Sequence, residues 1–195
     1  MAFRPGPAIR LWRVIGLILL LSRAAWATQL VPLSEAQLIE QSSLIVVGQC
    51  TEAKGTWMGR RLMTVATIAV DEVLKGEPHS QVTVVIPGGI DAQRPIPVAA
   101  VTAGTPQLAP SEEVVLFLSA SRDLPDTYTV TGFAQGKVSV LKDAAGGEMV
   151  AVDAARPPSP DTLRPMPPRN ARGALPLAQF RAMIRQHVLG RSAQP

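Results

Sequence analysis

The sequence predicts a mainly-β protein, a small barrel or sandwich of about six to seven strands with a short helix before it and an amphipathic helix after it. Three observations lead there. Between Leu44 and Val152 the chain breaks into short runs rich in Val, Ile, Leu and Thr, divided by Gly, Pro and Asp. Helix signals are confined to two places, one just before this region and one at its far side. The only cysteine is Cys50, so no intramolecular disulfide is available and the core must be held by apolar burial.

Residues 1–27 read as an export signal: Arg4, Arg10 and Arg13, an apolar run from Val14 to Leu21, then Ala25-Trp26-Ala27 in the small-x-small pattern of a cleavage site. The apolar run is far shorter than the roughly 20 residues that span a bilayer. Cleavage near Ala27 is therefore expected, leaving a periplasmic or secreted chain that begins at Thr28. With no cysteine at the cleavage point and no second hydrophobic segment, no lipid anchor or transmembrane span is expected in the mature chain.

Removal of that peptide changes the charge balance. The whole chain has 19 Lys+Arg and 15 Asp+Glu, a net charge of +4, but all four charged residues of the first 27 are arginines, so 15 basic and 15 acidic residues remain. A neutral mature chain lacks the clustered positive charge that drives nucleic-acid binding. The remaining charge is uneven. Residues 28–155 hold 8 basic and 14 acidic side chains, whereas 156–195 hold 7 basic and only Asp161.

Ser34 opens the first helix, with Gln37 completing a capping box and Leu33 and Leu38 placed as a hydrophobic staple; the helix is expected to end near Ser42. A first strand follows over Leu44–Thr51, a connection over Gly55–Gly59, and a long second strand over Leu62–Leu74. In that second strand Leu62, Ala66, Ile68 and Val70 share one face while Val73 has the opposite parity, which calls for a bulge near Asp71-Glu72. Alternation over Gln81–Ile86 gives a third strand, closed by Pro87-Gly88-Gly89. Pro87 to Glu112 reads as a long loop. The apolar run Glu113–Ser119 reads as a central strand, and Asp123-Leu-Pro-Asp126 turns the chain into Tyr128–Phe133. Gly136–Lys142 and Glu148–Val152 complete the set.

The barrel domain is thus assigned to 28–155. Residues 156–175, rich in Pro and Arg, read as a semi-extended linker. Residues 176–195 read as the amphipathic helix, started by Pro176, stopped by Gly190, and striped by Leu177, Phe180, Met183, Ile184 and Val188. That stripe needs a partner, either this domain's own barrel or another protein.

Ser42-Ser-Leu-Ile-Val-Val-Gly48, Glu72-Val-Leu-Lys-Gly76, the stretch from Val82 to Gly89, Glu113-Val-Val-Leu-Phe-Leu118 and Gly132-Phe-Ala-Gln-Gly-Lys137 resemble the pattern of a group of exported bacterial proteins that carries no assigned activity. The resemblance covers residues 34–142. More loosely, the strand, the long bulged strand and the Val-Leu-Lys-Gly turn are similar to netrin-like modules and tissue metalloprotease inhibitors, which implies an OB-like or netrin-like barrel. The inhibitors present an N-terminal cysteine to the protease zinc. Here Thr28 begins the mature chain, so that mechanism does not follow.

Catalytic and cofactor motifs are sparse. His79 and His187 stand in no metal-binding spacing, and neither a nucleophile elbow nor a phosphate loop occurs. Ser139-Val-Leu-Lys142 matches S-x-x-K, but in a strand these two residues face opposite ways. The same alternation separates the adjacent carboxylates Asp71-Glu72 and Glu112-Glu113. Cys50 shares parity with Val46 and reads as a buried thiol. No cofactor or metal is expected.

Trp57 and Met58, in the first connection, are the most informative surface residues, because a large aromatic at a loop tip is costly to expose. With the Pro87–Pro97 loop they are expected to form one contact surface, unless Trp57 folds back as a lid, and Arg60 and Arg61 beside them are further candidate partner contacts. Phe180 and Ile184 are candidate partner contacts on the terminal helix. Arg60-Arg61 and the arginines of the tail either touch an anionic surface or pair with the acidic body. The functional expectation is a non-enzymatic, protein-binding module of the envelope or extracellular space. The alternative is an envelope enzyme or enzyme accessory with its site in the 87–112 loop.

Overall fold

The computed structural model describes residues 32–144, 146–152 and 175–192. Residues 1–27, expected to be an export signal, and nearly all of the expected linker at 156–175 lie outside them. Strand β1 (Leu44–Met58) pairs with β2 (Arg61–Lys75) on one edge and with β6 (Glu113–Ala120) on the other, both antiparallel. Strand β3 (Gln81–Pro87) lies antiparallel to β2 and parallel to β7 (Thr127–Val130), and β7 returns to β6. The ring β1-β2-β3-β7-β6-β1 is closed, in keeping with the mainly-β barrel or sandwich predicted, and the strands outside the ring bring the number among the described residues to ten, above the six to seven predicted. Beside β7, β8 (Lys137–Lys142) takes the remaining edge of β6 and leads to β9 (Glu148–Val152) and the two-residue β10 (Leu175–Pro176).

Strand alternation divides the apolar side chains between two cores. Leu44, Val46, Cys50, Ala66, Ile68, Val84, Leu116 and Leu118 fill the barrel. Ile45, Val47, Val115, Phe117, Val138 and Val140 face outward into a second core covered by helices α1 (Glu35–Gln41) and α2 (Leu177–Ser192). This two-sided burial explains why Glu113–Ser119 is apolar at successive positions rather than alternate ones.

The predicted bulge is present. Gly48 pairs with Val70 and Val47 with Glu72, so Asp71 has no partner on β1, and a second irregularity follows at Leu74. Val70 and Val73 consequently both pack against the barrel interior while Leu74 joins the outer core. The capping box also forms, with the Gln37 amide donating to Ser34 Oγ at 3.3 Å and the Ser34 amide donating to Gln37 Oε1 at 2.8 Å.

The β1–β2 hairpin is longer than predicted. Pairing continues to Met58–Arg61, so the turn is only Gly59-Arg60 and Trp57 and Met58 stand on a strand. The stretch 87–112 is not all loop, because Gly89–Asp91 (β4) and Val98–Ala100 (β5) pair as a small hairpin. Gly190 does not stop α2, which runs to Ser192.

Helix α2 docks on its own domain. Leu177, Phe180 and Ile184 are buried against Leu38, Ile39, Phe117 and Val150, with Phe180 edge-on to Phe117 at a centroid distance of 6.4 Å. Glu72, placed on the outer face by the bulge, forms ion pairs with Arg181 (3.2 Å) and Arg185 of this helix. Phe180 and Ile184 are therefore core residues and not surface contacts. Their apolar stripe is satisfied within the chain, and these two tail arginines meet the acidic body.

Candidate functional site

One end of the barrel gathers the β1–β2 turn and the 87–112 excursion. β3 ends there and β6 begins there, so every residue between them returns to the end that carries Gly59-Arg60. β4 crosses directly over Gly55. A β-carbon at Gly55 would lie 2.1 Å from the Ile90 carbonyl oxygen, so the missing side chain is what lets the two backbones meet.

That crossing places Asp91 beside Trp57. The Trp57 indole N–H donates to Asp91 Oδ2 at 2.7 Å, and Arg94 Nε donates to the same oxygen at 3.0 Å. The Gln93 amide donates to Asp91 Oδ1 at 3.1 Å, and the Arg94 guanidinium sits over the Trp57 ring at 4.9 Å from its centroid. Three donors on one carboxylate favour its charged form. The indole hydrogen bond leads in holding the Asp91 carboxyl below its ordinary range, the Gln93 amide and Arg94 add to it, and burial opposes them.

Around this clip the surface is apolar and basic. Trp57 remains 39% exposed and Ile96, at the tip of the β4–β5 hairpin, 79%. Ile90 and its cross-strand partner Ala99 are exposed as well, and so is Val101, two residues beyond Ala99. Met58 is half-buried. Lys54, Arg60, Arg61 and Arg94 are exposed. From Ala53 to Val70 there is no carboxylate, and from Pro78 to Ser111 there is only Asp91. Among the described residues, no carboxylate pairs with Lys54, Arg60 or Arg61. A body with an acidic excess thus carries a cationic end.

The structure sets Trp57 against Asp91 and Arg94 of the 87–97 loop, and Met58, Arg60 and Arg61 follow Trp57 in the same hairpin. Sequence reasoning missed Asp91 and Arg94. β4 and β5 are three residues each, too short for a periodic signal, though an isolated carboxylate in a long stretch free of others was there to be noticed.

A second polar cluster closes the same excursion. Lys137 Nζ lies 2.6 Å from Glu112 Oε1 and donates to the Gln107 carbonyl at 2.5 Å, while Ser139 Oγ donates to the same Glu112 oxygen at 2.9 Å. Lys137 and Ser139 are buried. Lys137 and Ser139 both spend their polar atoms on Glu112, and Lys137 also on the loop backbone. The cluster pins residues 107–112 to β8 and presents no free nucleophile. Lys142, the other half of the S-x-x-K match, is exposed and apart from Ser139.

Cys50 is fully buried, its thiol directed at the Glu52 carbonyl; burial first, and then the Glu112 charge, pushes its pKa up. His79 packs edge-on against Tyr128 and shares a 3.2 Å hydrogen bond with its hydroxyl. Phe133 is exposed with φ +59°, a left-handed conformation that is unusual for a bulky residue. Among the described residues, no three His, Cys, Asp or Glu side chains converge in a metal-ligating group, and no helix is long and apolar enough to cross a membrane.

Comparison with known proteins returns no match, whether to a family model, to a curated sequence or to a solved structure.

Proposed function

We propose that this chain is an exported binding module of the cell envelope or extracellular space, and that it holds another protein through the hairpin end of its barrel. The observation that carries the reading is the clip at Asp91. It holds a partly exposed tryptophan and an arginine in fixed positions at the end of the barrel that also carries the exposed Ile90, Ile96 and Val101. Trp and Arg dominate the energetics of protein interfaces, and a contact residue fixed in advance loses little entropy on binding. Exposing Trp57, Ile90, Ile96 and Val101 together costs solvation that a monomer without a partner has no reason to bear.

The test is affinity capture from envelope and secreted fractions with the chain from Thr28, beside Trp57→Ala and Ile96→Ser. Ile96→Ser is at an exposed position and should leave the fold intact, whereas Trp57→Ala removes a donor from the buried Asp91, so its folding is checked by circular dichroism before capture. A protein held by the unsubstituted chain and lost from both variants supports the reading. Equal recovery by all three removes the hairpin end from consideration, and recovery by none removes protein binding. Truncation after Ala155 is no substitute, because it deletes Leu177, Phe180 and Ile184 from the outer core.

A further inference from the structure

We infer that the protein surface engaged by the hairpin end is acidic, a segment in which carboxylates flank exposed apolar side chains. This rests on the binding reading above and adds the chemistry of the partner. The cations at this end come from four separate positions: Lys54 on β1, Arg60 and Arg61 at the turn, and Arg94 in the β4–β5 hairpin. Arg94 lies over the Trp57 ring, and Lys54, Arg60 and Arg61 are within four residues of Trp57 in the β1–β2 hairpin. Asp91 is buried and already bonded to Trp57 and Arg94, and among the described residues no carboxylate pairs with Lys54, Arg60 or Arg61. Three of the four are arginines, whose planar guanidinium matches a carboxylate in two parallel hydrogen bonds.

The charge at this end is a local arrangement and not a reflection of the whole. Residues 28–155 carry 14 acidic and 8 basic side chains, yet half of those basic residues stand at the hairpin end. The opposite end, where β6 turns into β7, bears Asp123 and Asp126 with Arg122, and the β2–β3 turn at that same end bears Glu77. Such polarity steers an acidic partner to the apolar surface and repels basic ones.

A protein partner fits better than a lipid surface. Trp57 is bonded through its indole N–H to a buried carboxylate and lies beneath a guanidinium, so it is held close to the surface. A tryptophan inserting between lipids needs its ring free to reach the interfacial layer.

The experiment pans a phage-displayed library of random peptides against the immobilised chain from Thr28, which contains both cores. Enriched peptides with Asp or Glu beside aromatic or aliphatic residues are expected. Arg60→Glu/Arg61→Glu, at the exposed turn, should weaken the best peptide at least about tenfold, since like charges now face each other. Replacing that peptide's carboxylates with lysine should restore binding to the variant. Arg122→Glu, at the opposite end, should leave affinity unchanged. Enrichment of neutral or basic peptides would overturn the acidic assignment while leaving protein binding standing. If no peptide is enriched and the chain instead binds phosphatidylglycerol vesicles or oligothymidylate, both readings fall and the cationic end serves a polyanion.

Discussion

Phe180→Ala is the most direct probe of how α2 contributes to the fold. Phe180 is buried in the outer core, meets Phe117 edge to face, and shares that core with Ile45 of β1, Val115 of β6, Val140 of β8 and Val150 of β9. Truncating a buried phenylalanine costs about 3–5 kcal/mol from lost transfer free energy and the cavity left behind, a figure that includes the aromatic pair. With a urea m-value near 2 kcal/mol/M, a loss of about 4 kcal/mol lowers the unfolding midpoint by about 2 M. Two probes sharpen the assay. Far-ultraviolet circular dichroism follows the whole chain, whereas fluorescence of the protein from Thr28 follows Trp57 alone, because Trp12 and Trp26 are gone.

If both cores unfold as one unit, the two curves move together. A shift in dichroism without one in fluorescence would mean that the outer core melts separately from the barrel. A loss below about 1 kcal/mol would refute the docked helix, since a change of that size is ordinary for a surface site. Leu189→Ala is the control: Leu189 is on the same helix but 69% exposed, and its loss should stay within about 0.5 kcal/mol.

Gly55→Ala forces β4 away from β1, so the chain should lose about 1–3 kcal/mol and Trp57 fluorescence should shift as its bond to Asp91 breaks; an unchanged spectrum would contradict the crossing. Asp91 stabilises the folded state above its unfolded pKa, and that contribution fades as pH falls through the lower folded value. An acid titration should therefore show a Trp57 fluorescence transition below pH 3.8 that is absent in Asp91→Asn, and a midpoint at or above 3.8 would refute the three-donor arrangement. Cys50 should resist a thiol reagent in the native protein and react once urea unfolds it; rapid native labelling would contradict its burial and raised pKa.

The barrel was legible where sequence and local physics agree. The capping box at Ser34, the alternation of β3 and the parity break at Asp71 each have a local cause, and each lies where the residues place it. The closure of β1 on β6 was not legible, because no local signal reports which edges meet. Nor was the length of β1: Glu52, Lys54 and Thr56 look like loop composition, yet β2 holds them as a strand through thirteen cross-strand pairs. The functional end was read in part. Trp57 and the paired arginines stand out as costly to expose, but the carboxylate that fixes Trp57 lies 34 residues away and is brought there by a three-residue strand.

The motifs that carry the sequence resemblance have tasks in the fold, and this separates them from the hairpin end. Lys75 Nζ donates to the Ile39 carbonyl at 2.5 Å and the Ser42 carbonyl at 2.6 Å, binding the strand to the end of α1, where the helix dipole favours a cation. Gly76 follows with φ +98°, and a β-carbon there would meet the Ser43 carbonyl at 2.8 Å. Gln135 accepts from the Leu33 amide at 2.7 Å, and Lys137 pins Glu112. Lys75→Met keeps most of the side chain's apolar length and removes only the donors, so the carbonyls at the end of α1 lose their partner and stability should fall by about 1–3 kcal/mol. Affinity of the folded protein for an acidic peptide should not change, because Lys75 lies at the other end of the barrel. Arg60→Glu/Arg61→Glu should show the reverse: weakened binding with little change in stability. If Lys75→Met weakened peptide binding as much as stability, the division of the sequence into residues that hold the barrel and residues that use it would be wrong.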